Sequence, residues 1–170
     1  MYCFNFICLF LNMQKPLVRK ATLKDITTLK KFKLGLIKAE QPMDETIKEG
    51  ATSYYDLEAL ILQDTSELYV AELGEELVAS GYAKIVPDKP HFKHDFQGYL
   101  GFMFVPEKHR GNGYNKLILD ALLKWCKFKN VHEIRLDVYD KNPPALRAYE
   151  KAGFIKHMIH MRLDITNLDI

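Results

Sequence analysis

The stretch Tyr99-Leu100-Gly101-Phe102-Met103-Phe104-Val105-Pro106-Glu107-Lys108-His109-Arg110-Gly111-Asn112-Gly113-Tyr114-Asn115-Lys116 decides how this chain is read. Residues 99–105 are nearly all apolar, as in a strand covered on both faces. Pro106 to Gly113 is a charged, glycine-bearing turn. A helix follows, in which Leu117, Ile118, Ala121, Leu122 and Trp125 form one apolar stripe. A strand that ends in such a turn and opens a helix suits an anion. Two glycines permit tight curvature and close approach. Successive backbone N–H groups then point into one concavity at the positive end of a helix dipole, which fits a phosphate or pyrophosphate. A plain tight turn needs the same two glycines, so the turn alone leaves both readings open. The dinucleotide fingerprint G-x-G-x-x-G fails, because Lys116 stands at its third glycine. Neither the P-loop pattern nor the zinc-protease pattern His-Glu-x-x-His occurs.

Downstream, Glu133 to Tyr139 alternates at period 2 and reads as a strand. With the strand 99–105 and the intervening helix it makes a crossover unit, so the two strands are expected parallel. Asn142 suits a helix N-cap, Pro143 the first helical position, and Gly153 the left-handed residue past a helix end. Ile155 to Leu163 is a final strand candidate.

Upstream, Leu17 to Ala21 reads as a short strand. Thr22 and Asp25 are spaced as a capping box before a helix carrying Ile26, Leu29, Phe32 and Leu34, which Pro42 breaks. Asp44 to Ser53 is a loop or a short helix, and Tyr55 to Gln63 an amphipathic turn or two. Leu68–Glu72 and Leu77–Ile85 flank a Gly74 turn as a hairpin. This order predicts an α/β fold: a central mixed, mostly antiparallel sheet with flanking helices and one parallel strand pair.

A length of 170 residues suits one domain. The net charge of +2 speaks against an electrostatic nucleic-acid binder. Three cysteines, Cys3, Cys8 and Cys126, make no disulfide framework and no metal set, which points to a reducing, cytoplasmic compartment. Residues 1–12 are apolar and uncharged. They are too short to span a bilayer and lack the basic start of a secretory signal. They are read as an extension outside the fold, with residues 13–170 as a single domain and no membrane partner expected.

The residues quoted also resemble a known family. The strand ending Met103-Phe104-Val105, followed by Arg110-Gly111-Asn112-Gly113-Tyr114-Asn115, resembles motif A of the GNAT superfamily of acyl-CoA-dependent N-acetyltransferases, Arg/Gln-x-x-Gly-x-Gly/Ala. Asn142, Ala145, Tyr149 and Gly153-Phe154 fall at the spacing of its motif B, and Val18 to Asp25 is similar to the usual family opening. The resemblance covers about residues 16–164. It departs at Asn115, where the family has Gly or Ala, and at Pro106, one residue early.

The resemblance implies acetyl-CoA as co-substrate, no metal, and a splayed parallel strand pair whose edge takes the pantetheine arm along Met103, Phe104 and Val105. It assigns the pyrophosphate to the backbone of Arg110, Gly111, Asn112, Gly113, Tyr114 and Asn115, and a further cofactor contact to Asn142. It makes Tyr149 the acid that protonates the departing thiolate; a phenol is a competent donor at neutral pH. The carboxylate that several relatives carry on the strand before motif A is missing, since residues 97–105 hold no Asp or Glu. Glu40, Asp44, Asp95 and His94 are the remaining base candidates. The pairs His91/His94 and His157/His160 are read as surface histidines. The acceptor is expected to be the amine of a small molecule or peptide, met by an acidic rim of Glu40, Asp44 and Glu45 near Tyr54 and Tyr55. A homodimer is compatible with the chain. A non-catalytic acyl-CoA-binding module and a general phosphate binder are the competing readings; retention of Tyr149 and Asn142 favours the enzyme.

Overall fold

A computed structural model of the chain describes residues 15–50 and 55–166. The apolar segment 1–12 and Tyr54 lie outside the described residues. The chain divides into two compact units, between Asp137 and Val138. The first holds β1 (Leu17–Lys20), α1 (Ile26–Glu40), α2 (Leu57–Leu62), β2 (Ser66–Leu73), β3 (Glu76–Pro87), β4 (Phe96–Phe104), α3 (Tyr114–Phe128) and β5 (Ile134–Leu136). The second holds α4 (Pro143–Lys151).

The five strands form one sheet in chain order. Strands β1 to β4 are antiparallel neighbours, and β5 lies parallel to β4. Short connections join β2 to β3 and β3 to β4, β1 reaches β2 through α1 and α2, and the β4–β5 connection passes through α3 and returns the chain in the same direction. This is the mixed, mostly antiparallel α/β sheet expected above.

Both faces of the sheet are covered. Leu68 and Val70 of β2, Tyr82 of β3, and Phe102 and Phe104 of β4 share one core with Leu29 and Phe32 of α1 and Leu57 and Leu60 of α2. On the other face, a methyl at Gly81 would meet Ile118 and Leu122 of α3, and one at Gly98 would meet Cys126. That double cover is why residues 99–105 are apolar with little alternation.

Four local expectations need correction. Leu34 is exposed and Ile37 takes its place in the core. Five residues from Leu29 is about 140° off its face at 3.6 residues per turn. In α3, Leu119 and Cys126 are fully buried, while Leu117 is partly exposed. The strand read over 133–139 pairs only at Ile134–Leu136, the three residues that meet β4. Ile155 to Leu163 forms no strand, and its apolar side chains are exposed. Alternation marks a segment able to pair, but a ladder also needs partner N–H and C=O groups.

Strand β1 is fastened to β2 and to the turn before α1 by ion pairing. Asp25 accepts from two Arg19 nitrogens at 2.9 Å and from the Thr22 backbone N–H at 2.7 Å, in a 3₁₀ turn (Leu23–Asp25) leading into α1. Arg19 also donates to Glu72 of β2 at 2.6 Å. The Arg19 hydrogen bonds hold the Asp25 carboxyl down at about 2. Its folded value lies below the unfolded one, so the stabilisation is present above pH about 4 and lost as pH falls through about 2. Asp25→Asn is expected to cost about 1–2 kcal/mol at neutral pH in urea denaturation. The gap to wild type should close in acid, and an equal gap at both pH values would refute the pairing as its cause.

Candidate active site

The β4–β5 ladder joins Gly98 to Ile134, Tyr99 to Arg135 and Leu100 to Leu136, and stops there. Strand β4 runs on to Phe104. Over those last four residues β4 has no ladder partner in β5.

A β-bulge sits in the same stretch. Between the pairs Ser80–Phe104 and Tyr82–Gly101, β4 carries one residue more than β3. Phe102 adopts φ +55°, a left-handed conformation uncommon for a non-glycine residue. The buried Ser80 hydroxyl donates to the Phe102 carbonyl at 3.3 Å and helps hold the bulge. The extra residue flips the phase of the strand. Tyr99 packs on the α1–α2 side ahead of the bulge, and Phe102 and Phe104 pack there beyond it. Met103 points to the α3 side, where Gly81 leaves room for its sulfur. Sequence reading missed both Ser80 and the bulge, because no glycine marks the left-handed residue.

Past β4, a 3₁₀ turn (Glu107–His109) leads to Gly111 and Gly113, which hold φ +81° and +77°. A methyl built on either glycine meets no protein atom within 4 Å. The glycines are therefore required by conformation, and the space above them is open to a ligand. Gly113 is the N-cap of α3, whose first N–H groups have no intrahelical acceptor. Tyr114 and Asn115 occupy the first helical turn. The Arg110 N–H donates to Glu107 O at 3.1 Å, so the amide cradle begins at Gly111 rather than at Arg110. The Arg110 side chain braces the turn through Nε to Val105 O at 3.3 Å, and Asn112 Nδ2 donates to His109 O at 3.0 Å. This open, positively polarised turn at the end of β4 suits an anion.

In the second unit, Asn142 caps α4: its side-chain oxygen accepts the Ala145 N–H at 3.2 Å. Tyr149 is buried near the C-terminal end of α4, edge-on to Phe154 with ring centres 5.9 Å apart. Gly153 holds φ +98° past the helix end, the role its position predicts.

The base candidates separate by place. His94 and Asp95 precede β4, a strand length of roughly 27 Å from its turn end. There His94 lies 2.9 Å from Asp88, and both His94 and Asp95 line a shallow cleft with Asn130 and His132. Glu40 and Asp44 lie at the other end. Helix α1 rests on the turn end of β4: the Phe32 and Phe104 rings are 5.2 Å apart, and a methyl at Gly35 would come within 2.6 Å of the Phe104 ring. Glu40 closes α1 about 7.5 Å further along its axis. Burial, and then the nearby Asp44, push the Glu40 carboxyl up to about 7. Asp44 accepts from the Thr46 N–H and hydroxyl at 2.9 and 2.6 Å. Tyr55 packs on Tyr82 and Phe102, with ring centres 5.4 and 5.5 Å apart. Among the described residues, no group of three or more His, Cys, Asp or Glu is placed to hold a metal, and no helix is long and apolar enough to cross a membrane.

Comparison with known proteins accords with this geometry. Over 128 residues the chain is 31% identical to N-alpha-acetyltransferase 60 of Drosophila melanogaster, a match covering 73% of this chain and 42% of that protein. It is 24% identical over 118 residues to the spermine/spermidine N(1)-acetyltransferase of Bacillus subtilis, covering 66% of this chain and 78% of that protein. The chain spans about two fifths of the length of N-alpha-acetyltransferase 60 and of the mouse N-alpha-acetyltransferase 30. Two solved structures share the fold. A mutant Bacillus halodurans protein superposes with a TM-score of 0.79 at 24% identity, covering 87% of this chain and 98% of that one. A predicted acetyltransferase of Clostridium acetobutylicum, solved with acetyl-CoA, superposes at 0.67 and 22% identity, covering 91% and 99%. The model of the acetyltransferase (GNAT) family matches residues 36–154, most of the chain, and the chain belongs to that family.

Proposed function

We propose that this chain transfers the acetyl group of acetyl-CoA to a primary amine of a small molecule or peptide, by direct attack. The observation that carries the reading is the β4–β5 pair that loses its ladder at Leu100 and leads through β4 into the Gly111–Gly113 cradle. In this reading the backbone of Met103, Phe104 and Val105 pairs with the pantetheine arm, and the amides from Gly111 to Asn115 hold the pyrophosphate. Asn142 adds a cofactor contact. The amine nitrogen bonds to the thioester carbonyl carbon, the C–S bond breaks, Glu40 accepts the amine proton and Tyr149 gives its proton to the sulfur. Residues 13–170 constitute the acetyltransferase domain.

The relatives' names span protein N-termini, polyamines and ornithine as acceptors. A thiol-release assay with acetyl-CoA over N-terminal peptides, spermidine and ornithine is therefore the test. Acetyl-CoA binding by calorimetry without release on any amine would support the non-catalytic acyl-CoA module instead.

The Glu40 role has its own signature. As base it must be ionised, so kcat is expected to rise with pH through about 7, the value to which burial pushes it. Glu40→Gln should remove that limb and lower kcat at neutral pH about tenfold, below the usual general-base range because water also takes the proton. An unchanged limb in the variant would assign the titration to the amine itself.

A further inference from the structure

We infer that Ser80 is a positioning residue for acetyl transfer: through the Phe102 carbonyl it aims the Met103 N–H at the β5-side edge of β4, as a hydrogen-bond donor to the acetyl-CoA arm. The inference rests on the function proposed above and names the donor and the residue that sets its direction. A trans peptide holds its C=O and N–H antiparallel, and the Phe102 carbonyl and the Met103 N–H belong to one peptide. The Ser80 hydroxyl, on β3, donates to that carbonyl at 3.3 Å. The carbonyl is thus turned to the β3 side and the Met103 N–H to the β5 side, where β4 has no ladder partner in β5 past Leu100. Strand alternation gives the same answer. The Gly98 N–H donates to Glu133 O at 2.8 Å, so ahead of the bulge the even-numbered residues of β4 face β5. The Ile85 N–H donates to Thr65 O at 2.7 Å, so the odd-numbered residues of β3 face β2 and the even-numbered ones face β4. Ser80 faces β4 opposite Phe104, so past the bulge Phe104 faces β3 and Met103 faces the other edge.

The hydroxyl supplies what the ladder cannot. On β3, Ser80 and Tyr82 pair with Phe104 and Gly101, and Gly81 between them faces β2. Ser80 and Phe102 are 0% and 1% exposed, so solvent does not reach the carbonyl. A buried carbonyl without a donor costs about as much as a lost hydrogen bond. The left-handed backbone at Phe102 adds its own strain, which persists where the surroundings over-determine it. Aromatic packing fixes the side chains: a methyl at Gly101 would come within 2.6 Å of the Tyr82 Cζ and Oη, and the Tyr55 ring packs on both Tyr82 and Phe102. Those contacts hold the Phe102 ring, and the Ser80 hydroxyl holds the plane of the peptide that follows it.

Calorimetry with acetyl-CoA on the full chain tests the proposal by comparing Ser80→Ala with Ser66→Ala. Ser66 is also buried and its hydroxyl also donates to a carbonyl, Leu60 O at 3.0 Å, but it opens β2 opposite Lys84, away from the bulge. Each variant loses one buried hydroxyl bond. Ser80→Ala is expected to raise the acetyl-CoA Kd about tenfold, and Ser66→Ala to leave it within about twofold. A shift in Ser80→Ala no larger than in Ser66→Ala would make Ser80 a structural bond only, overturning the inference while the acetyl-CoA reading stands. Wild type that does not bind acetyl-CoA would overturn both. Hydrogen exchange on wild type needs no variant, and decides the matter if circular dichroism finds Ser80→Ala unfolded. Exchange at the Met103 amide is expected to slow about tenfold or more on saturation with acetyl-CoA. Unchanged exchange there, in protein that binds acetyl-CoA, would remove Met103 as the donor and Ser80 as the residue that aims it.

Discussion

Tyr149→Phe is expected to lower kcat by about 10²–10⁴-fold, the usual worth of a general acid, while acetyl-CoA affinity changes little. The expectation rests on what the substitution removes. Tyr149 is buried and its ring packs edge-on against Phe154. Phenylalanine keeps that ring and its packing, so folding and ligand binding serve as internal controls. Only the hydroxyl is lost, and with it the donor proposed to neutralise the departing thiolate. Steady-state kinetics with an acceptor identified by the amine panel gives the number. A kcat within threefold of wild type would reduce Tyr149 to a core aromatic, with the thiolate leaving unaided or taking its proton from water.

Gly113→Glu is expected to weaken acetyl-CoA binding at least tenfold, about 1.4 kcal/mol or more. Two physical effects add. Gly113 holds φ +77°, where a side chain costs about 1–2 kcal/mol. A methyl there meets nothing within 4 Å, so a longer side chain has room and would set a carboxylate at the proposed pyrophosphate contact. Gly113→Ala separates the two, since it bears the backbone cost without the charge and should lose less affinity. Calorimetry on folded variants reads both. Unchanged binding by the glutamate variant would remove the cradle from the site.

The sequence by itself determined the elements whose cause is local. The capping pair Thr22 and Asp25, the Asn142 cap, and the glycine past α4 are short-range hydrogen-bond and dihedral requirements, visible in the residue types. The parallel β4–β5 pair also followed from connection length, and the left-handed turn before α3 from its two glycines. Tertiary structure decided everything that depends on a partner distant in the chain. The bulge at Phe102 exists because β3 and β4 differ by one residue between shared pairs, and Ser80 holds it from 22 positions away. Burial against neighbouring elements, and then the charge of Asp44, rather than its own composition, pushed the Glu40 carboxyl up. Leu34 and Leu117 are as apolar as the residues that displaced them, and only the faces of α1 and α3 turned to the sheet chose between them. The alternation from Ile155 to Leu163 is the clearest case. A period of two specifies which side chains share a face, but pairing is made with another strand's backbone, and no pattern within one segment contains that partner.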